Sequence, residues 1–141
     1  MIEAIKPHLH WYRPFAFTFT STSRTKIDNT LEGFRLIPVF GRSPKHDFQN
    51  VSDLIQDSKG REKEYDDWQQ SLPVVKELVR RLCPQTKQST VVVDPHLGTG
   101  TTAVACAQLL GKQFIGCDID ANKVRIARHR IATEVTGKQV G

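Results

Sequence analysis

Thr90-Val91-Val92-Val93-Asp94-Pro95-His96-Leu97-Gly98-Thr99-Gly100-Thr101-Thr102-Ala103 is the stretch that decides the fold. Thr90 to Asp94 is a short β-branched apolar run, as buried parallel strands are. A glycine turn follows it. Thr101 to Leu110 is rich in small residues and reads as a helix, with Gly111 as its stop.

The pattern continues on both sides. Gln113 to Asp118 predicts a second buried strand. Asp120 is placed to cap a last helix, whose apolar stripe is Val124, Ala127, Ile131 and Val135. Upstream, Leu72, Val75, Val79 and Leu82 share one helical face, Pro73 suits the first turn, and Pro84 ends it. Helix, strand, helix, strand, helix implies an α/β fold with a parallel sheet.

In such sheets ligands bind beyond the carboxyl ends of the strands. Asp94 and Asp118 end the two strands, and Gly98-Thr99-Gly100-Thr101-Thr102-Ala103 opens the helix between them. All three features should converge on one crevice. Gly-x-Gly-x-x-Ala with a later acid also fits the dinucleotide fingerprint. A pyrophosphate needs an electropositive cradle, which Asp94 opposes, and Pro95-His96-Leu97 widens the turn. A phosphate-free ligand with an ammonium and a cationic centre suits Asp94 better. S-adenosylmethionine is such a ligand: its ribose hydroxyls would donate to Asp118, and the glycines would let the backbone approach its methionine part.

Residues 1–41 carry two strand-like runs, Trp11 to Thr20 and Phe34 to Phe40, with a polar connection from Ser21 to Gly33. Pro38 points to an edge position or a bulge. An antiparallel hairpin is expected. Residues 42–66 read as a polar connector, with a short helical turn around Val51 to Ile55; a DNA-touching loop is the functional alternative. Residues 67–141 form the α/β part.

The 141 residues suit a single domain, 1–141. The net charge of +5 permits a polyanionic partner without requiring one. Cys83, Cys106 and Cys117 are scattered and read as buried reduced thiols. No apolar run is long enough to span a bilayer and no secretory pattern opens the chain, so a cytoplasmic location without membrane contact is the expectation. His8 and His10 lack a third ligand in sequence, which favours a surface pair over a metal site. Lys123, Arg125, Arg128 and Arg130 make the last helix basic, as a solvated face or a phosphate-binding one. Trp11-Tyr12-Arg13 reads as core packing, with base stacking as the alternative.

Asp94-Pro95-x-x-Gly98-x-Gly100-Thr101-Thr102, followed by Leu110-Gly111-Lys112-Gln113-Phe114-Ile115-Gly116-Cys117-Asp118-Ile119-Asp120, resembles the cofactor region of DNA amino-methyltransferases, which act on adenine N6 or cytosine N4. The resemblance covers roughly residues 65–135 and includes Trp68-Gln69-Gln70-Ser71-Leu72-Pro73 with its helix, and Arg128 to Ile131. It implies a Rossmann-like S-adenosylmethionine-dependent methyltransferase fold, incomplete here: parallel strands with helices plus an antiparallel hairpin. It implies that Asp94 faces the methionine ammonium, that Pro95, Gly98, Thr99, Gly100, Thr101 and Thr102 form the cofactor loop, that Asp118 holds the ribose, and that Trp68 and Ser71 approach from the other side. His96 stands where the family has phenylalanine and Thr99 where it has serine. His96 could stack beside the methyl-transfer centre, with a catalytic histidine as the alternative.

The family's catalytic motif is Asp, Asn or Ser before Pro-Pro and an aromatic, which holds the flipped base. None of the seven prolines here is adjacent to another. In the permuted order of the family, the chain therefore resembles the C-terminal, cofactor-binding half. The expected function is restriction-modification-type methylation of a DNA amino group, with this chain supplying the cofactor side. The expected partners are DNA and either a complementary catalytic half or a second copy, because bare sheet edges recruit partners. A non-catalytic remnant or regulatory module, and a nucleotide-binding domain of another kind, are the alternatives.

Overall fold

The structure, a computed structural model, describes residues 7–24, 31–42, 52–57, 63–67, 69–83, 90–109 and 112–136. Length argues for one domain, whereas the chain forms two compact units, Met1–Gly60 and Arg61–Gly141.

The first unit is a three-stranded sheet of β1 (His10–Arg24), β2 (Leu31–Gly41) and β3 (Leu54–Gln56), in the order β2-β1-β3. β1 and β2 are antiparallel, with Phe15 opposite Ile37 and Phe17 opposite Arg35. The period-two alternation expected of β1 sends Phe15 and Phe17 inward, where they are buried with Val39 and Ile55. β2 is an edge strand, as Pro38 requires. Pro38 faces Pro14, and β3 pairs with β1 only from Ala16 onward, so the missing N–H of Pro14 falls outside that ladder.

Three expectations are corrected in this unit. The polar connector over 42–66 is interrupted by β3, a strand where a helical turn was expected; it runs parallel to β1 with Ile55 opposite Phe17. Asp57, expected on a surface loop, is buried, and its N–H donates to the Thr18 carbonyl at 3.0 Å. Trp11 is not core: it is half exposed and meets Phe40 edge-on, ring centres 5.1 Å apart. Alternation alone cannot tell which end of a strand overhangs its neighbours.

The second unit runs α1 (Leu72–Leu82), β4 (Thr90–Asp94), α2 (Thr101–Gln108), β5 (Lys112–Gly116) and α3 (Ala121–Thr136). This is the expected element order. β4 and β5 are parallel, with Val92 opposite Phe114 and Asp94 opposite Gly116. Leu97, Ala103 and Ala127 form a buried cluster against which Phe114, Val124 and Ile131 pack. Ala103, Val104, Ala105 and Cys106 are all buried, because small side chains let α2 approach its neighbours closely. Asp120 caps α3 as expected: its Oδ1 accepts the Asn122 N–H at 2.8 Å.

Other details depart from the expectation. α1 buries Val74 and Val79, while Leu72, Val75 and Leu82 are half-buried. Cys83 is extended at its end, the conformation favoured before Pro84. Of the three thiols only Cys106 is buried; Cys83 is half-buried and Cys117 is exposed. Among the described residues of this unit, Val91, Val93 and Ile115 are exposed on one face of the sheet. Among the described residues no helix is long and apolar enough to cross a membrane.

Candidate functional site

The parallel pairing of β4 with β5 puts Asp94 beside Gly116 at the carboxyl end of the sheet, and the glycine loop turns there. The loop is held by its own polypeptide. Asp94 Oδ1 accepts the His96 N–H at 3.0 Å. The Leu97 N–H donates to the Cys117 carbonyl at 2.9 Å, and the Cys117 N–H to the Asp94 carbonyl at 3.1 Å. Asp118 Oδ2 accepts the Gly98 N–H at 2.7 Å. The Gly100 N–H closes a turn on the Leu97 carbonyl at 2.9 Å.

The two glycines answer different demands. Both have positive φ, +53° at Gly98 and +85° at Gly100, which side-chain-bearing residues rarely adopt. A Cβ on Gly98 would meet open space, with its nearest neighbour 4.0 Å away. A Cβ on Gly100 would lie 2.6 Å from the Cβ of Ala127. Gly100 is therefore required for α3 to dock under the loop, a reason distinct from the ligand approach expected of it.

An open cleft of about 160 Å³ lies over this loop. Asp94, His96, Leu97, Gly98, Thr99, Thr101 and Thr102 line one side, and Asp66, Gln69, Gln70 and Lys123 complete it. Of the residues expected at a site, Asp94, His96, Gly98, Thr99, Thr101 and Thr102 are brought together. Pro95 is exposed and Gly100 is buried against Ala127, both off the cleft lining. Asp118 reaches the site through Gly98. Ser71 is buried at the start of α1, where its carbonyl accepts the Val75 N–H at 3.1 Å, and it does not line the cleft. Trp68 lies outside the described residues.

Sequence reasoning missed Asp66, Gln69, Gln70 and Leu97. Asp66 and Gln69 stand on an irregular stretch before α1, where no periodicity signals a facing. Lys123 was expected on a solvated or DNA-facing helix surface; instead its Nζ pairs with Asp66 at 3.1 Å at the cleft. Hydrogen bonding and attraction to Asp66 hold its ammonium above the usual lysine range. Arg130 departs further from that expectation. Its side chain is buried, with Nε donating to Glu134 Oε1 at 2.7 Å and Nη1 donating to the Thr99 carbonyl at 3.0 Å. A basic stripe read from sequence is thus split between the interior and solvent, where Arg125 and Arg128 are exposed.

The carboxylate of Asp118 lies below the usual range, chiefly through the Asp120 N–H, then through the Gly98 N–H. It is ionised at any ordinary pH. The N–H groups of His96, Leu97, Gly98 and Gly100 are all taken by internal acceptors. None of these four N–H groups is left to contribute to the outward N–H cradle that a phosphate group needs.

Comparison with known proteins identifies the family. A DNA methylase family model, of the N6/N4 methyltransferase type, matches residues 5–129. The Type II methyltransferase M2.DpnII of Streptococcus pneumoniae is 40% identical over 57 residues, 40% of this chain and 21% of that protein. M2.LlaDCHI of Lactococcus lactis subsp. cremoris, also a Type II methyltransferase, is 39% identical over 54 residues, 38% of this chain and 20% of that protein. The matches span about a fifth of each relative's length. In three dimensions the chain is similar to M1.HpyAVI in its complex with SAM, with a TM-score of 0.65 and 18% identity over 89% of this chain and 64% of that one. It is similar also to a putative DNA modification methylase, TTHA0409 of Thermus thermophilus, complexed with S-adenosyl-L-methionine, with a TM-score of 0.63 and 20% identity over 96% of this chain and 59% of that one. These likenesses show a fold shared with S-adenosylmethionine-dependent methylases. With most of its length matched by the family model, the chain belongs to the DNA methylase family of amino-methyltransferases.

Proposed function

We propose that this chain supplies the S-adenosylmethionine-binding side of a DNA methyltransferase acting on an adenine or cytosine amino group. The observation that carries the reading is the composition of the cleft. Its described lining has two carboxylates, Asp94 and Asp66, and a single Lys or Arg side chain, Lys123, which is paired with Asp66. Such a lining repels phosphates and favours a ligand bearing an ammonium and a sulfonium. The family membership and the SAM-bound structural neighbours agree with this.

The residues fit the group. In this reading Asp94 receives the methionine ammonium and Thr102 adds a hydroxyl beside it, while the Thr99 and Thr101 hydroxyls turn to Arg130 and support the loop. Asp118 keeps one oxygen on Gly98 and has lone pairs left for ribose hydroxyls. When bound, S-adenosylmethionine provides an electrophilic methyl group on its sulfonium. The protein's own contribution is positioning. The cleft of about 160 Å³ is smaller than the roughly 300–1,000 Å³ usual for ligand pockets, so it takes part of the ligand only. No two prolines of the chain are adjacent, so the Pro-Pro base-binding segment comes from outside these residues.

The bare faces of β4 and β5 suit that arrangement. Parallel sheets are almost always covered on both sides. Exposed Val91, Val93 and Ile115 would then be covered by a complementary half or a second copy. A cytoplasmic location beside DNA goes with the same reading. The lack of the Pro-Pro motif also favours a second reading, a regulatory module that binds the cofactor and transfers nothing.

Calorimetric titration of the chain with S-adenosylmethionine and with NAD tests the cofactor. Binding of the first alone is expected. Asp94→Ala should weaken it about 10- to 100-fold, the loss of one charged hydrogen-bonding partner. Unchanged affinity would refute the assignment. Methyl transfer to DNA only on adding a complementary chain favours the enzyme reading; binding without transfer in every combination favours the module.

A further inference from the structure

We infer that Arg130 is a positioning residue that sets the width of the cleft by tying its two walls together from beneath. The inference rests on the reading of the cleft as an S-adenosylmethionine site and goes beyond it, since Arg130 is not itself part of the cleft lining.

Arg130 is about 1% exposed and is the largest fully buried side chain among the described residues. One edge of its guanidinium serves the glycine loop: Nη1 donates to the Thr99 carbonyl at 3.0 Å and lies 3.3 Å from Thr101 Oγ1 and 3.5 Å from Thr99 Oγ1. Its face serves the opposite wall, with Cζ 4.6 Å from the centre of the Tyr65 ring. Tyr65 in turn donates its N–H to Gln69 Oε1 at 3.1 Å, and Gln69 lines the cleft. Nε is held by Glu134 at 2.7 Å, which fixes the plane of the fork.

Two arguments make this geometry a functional one. Burying an ion pair costs desolvation, and apolar replacements often leave stability unchanged or raise it, so stability alone is weak reason for the pair. The Thr99 carbonyl also has no ordinary partner. It sits between two glycines of positive φ, Gly98 and Gly100, one residue before the carbonyl that takes the first helical N–H of α2, Gly100 from Val104 at 2.9 Å. A planar, always-charged fork reaches that carbonyl, Glu134 and the Tyr65 face together; a lysine ammonium cannot.

The test uses the full chain. Arg130→Lys, Tyr65→Phe and Tyr65→Leu are compared with the parent for thermal midpoint, for S-adenosylmethionine affinity by calorimetry, and for amide exchange at residues 98–102 without ligand. The expectation is that Arg130→Lys and Tyr65→Leu weaken binding at least about tenfold and speed that exchange, while Tyr65→Phe, which keeps the ring, matches the parent. If Arg130→Lys does not fold, Tyr65→Leu against Tyr65→Phe decides. Parent-like affinity and exchange in both Arg130→Lys and Tyr65→Leu overturn the inference, as does weakening in proportion to a general loss of stability. A parent that binds no S-adenosylmethionine refutes the cofactor reading instead; exchange at residues 98–102 then judges the positioning role by itself.

Discussion

Asp118, just beyond β5, accepts the backbone N–H of Gly98 on Oδ2 at 2.7 Å, so an acid from the second strand holds the loop that follows the first. Its other oxygen takes the Asp120 N–H at 2.9 Å. Asp118→Asn can accept on one side only and turns an amide N–H₂ towards a second donor. Faster exchange of the Gly98 amide and S-adenosylmethionine binding weaker by at least about tenfold are expected. Both are read on one sample by hydrogen exchange and calorimetry, and parent-like values would remove Asp118 from the loop's support.

The two loop glycines should separate cleanly under alanine substitution. Gly98→Ala meets open space and carries only the left-handed penalty, about 1–2 kcal/mol. Gly100→Ala adds a clash with Ala127 and should cost about 2–4 kcal/mol. Urea denaturation gives both values. Adding Ala127→Gly to Gly100→Ala should recover part of the loss, so that the double variant is more stable than the sum of the singles predicts. Equal costs at the two glycines would contradict the close approach of Gly100 to α3.

Glu77 gives α1 a pH dependence of known sign. Hydrogen bonds from Arg80, and then from Arg81, hold its carboxyl down to about 2 from an ordinary 4.5. A depressed folded-state value means that the stabilisation is complete above about pH 4.5 and fades as pH falls towards 2. Arg80 is half exposed, so solvent screening limits the pair to about 1 kcal/mol or less. Glu77→Gln should flatten the stability profile in that window and leave the neutral-pH melting behaviour slightly lower. An unchanged acid limb would show that other carboxylates govern it.

Val93 and Ile115 are exposed on one face of β4 and β5 among the described residues. Sedimentation of the chain alone should show concentration-dependent association, or tight pairing with a complementary half. Val93→Lys with Ile115→Lys should abolish it with little change in S-adenosylmethionine affinity, because neither side chain lines the cleft. A parent chain that stays monomeric at high concentration and ignores every candidate half would count against the covered-face reading.

Much of the α/β unit was legible because its signals are local. A β-branched run, a glycine turn and a 3.6-residue stripe each constrain neighbours within a few positions, and β4, α2, β5 and α3 follow them. β3 was not legible: Leu54-Ile55-Gln56 is too short for a period, and it is a strand only because β1 offers a partner. The same holds for Asp57 and Trp11, whose exposure depends on what the sheet leaves uncovered.

At the site the division is sharper. Residue types alone determined that a carboxylate, two glycines and three threonines stand at the end of a parallel strand, and the Asp94–Thr102 run marked the family. Only the tertiary structure decided that Gly100 exists for Ala127, that Lys123 turns to Asp66, and that Arg130 lies buried beneath Thr99. The physical reason is range. Backbone conformation is set by adjacent residues, whereas the partner of a long charged side chain is chosen by which desolvated acceptor the fold brings within about 3 Å of it.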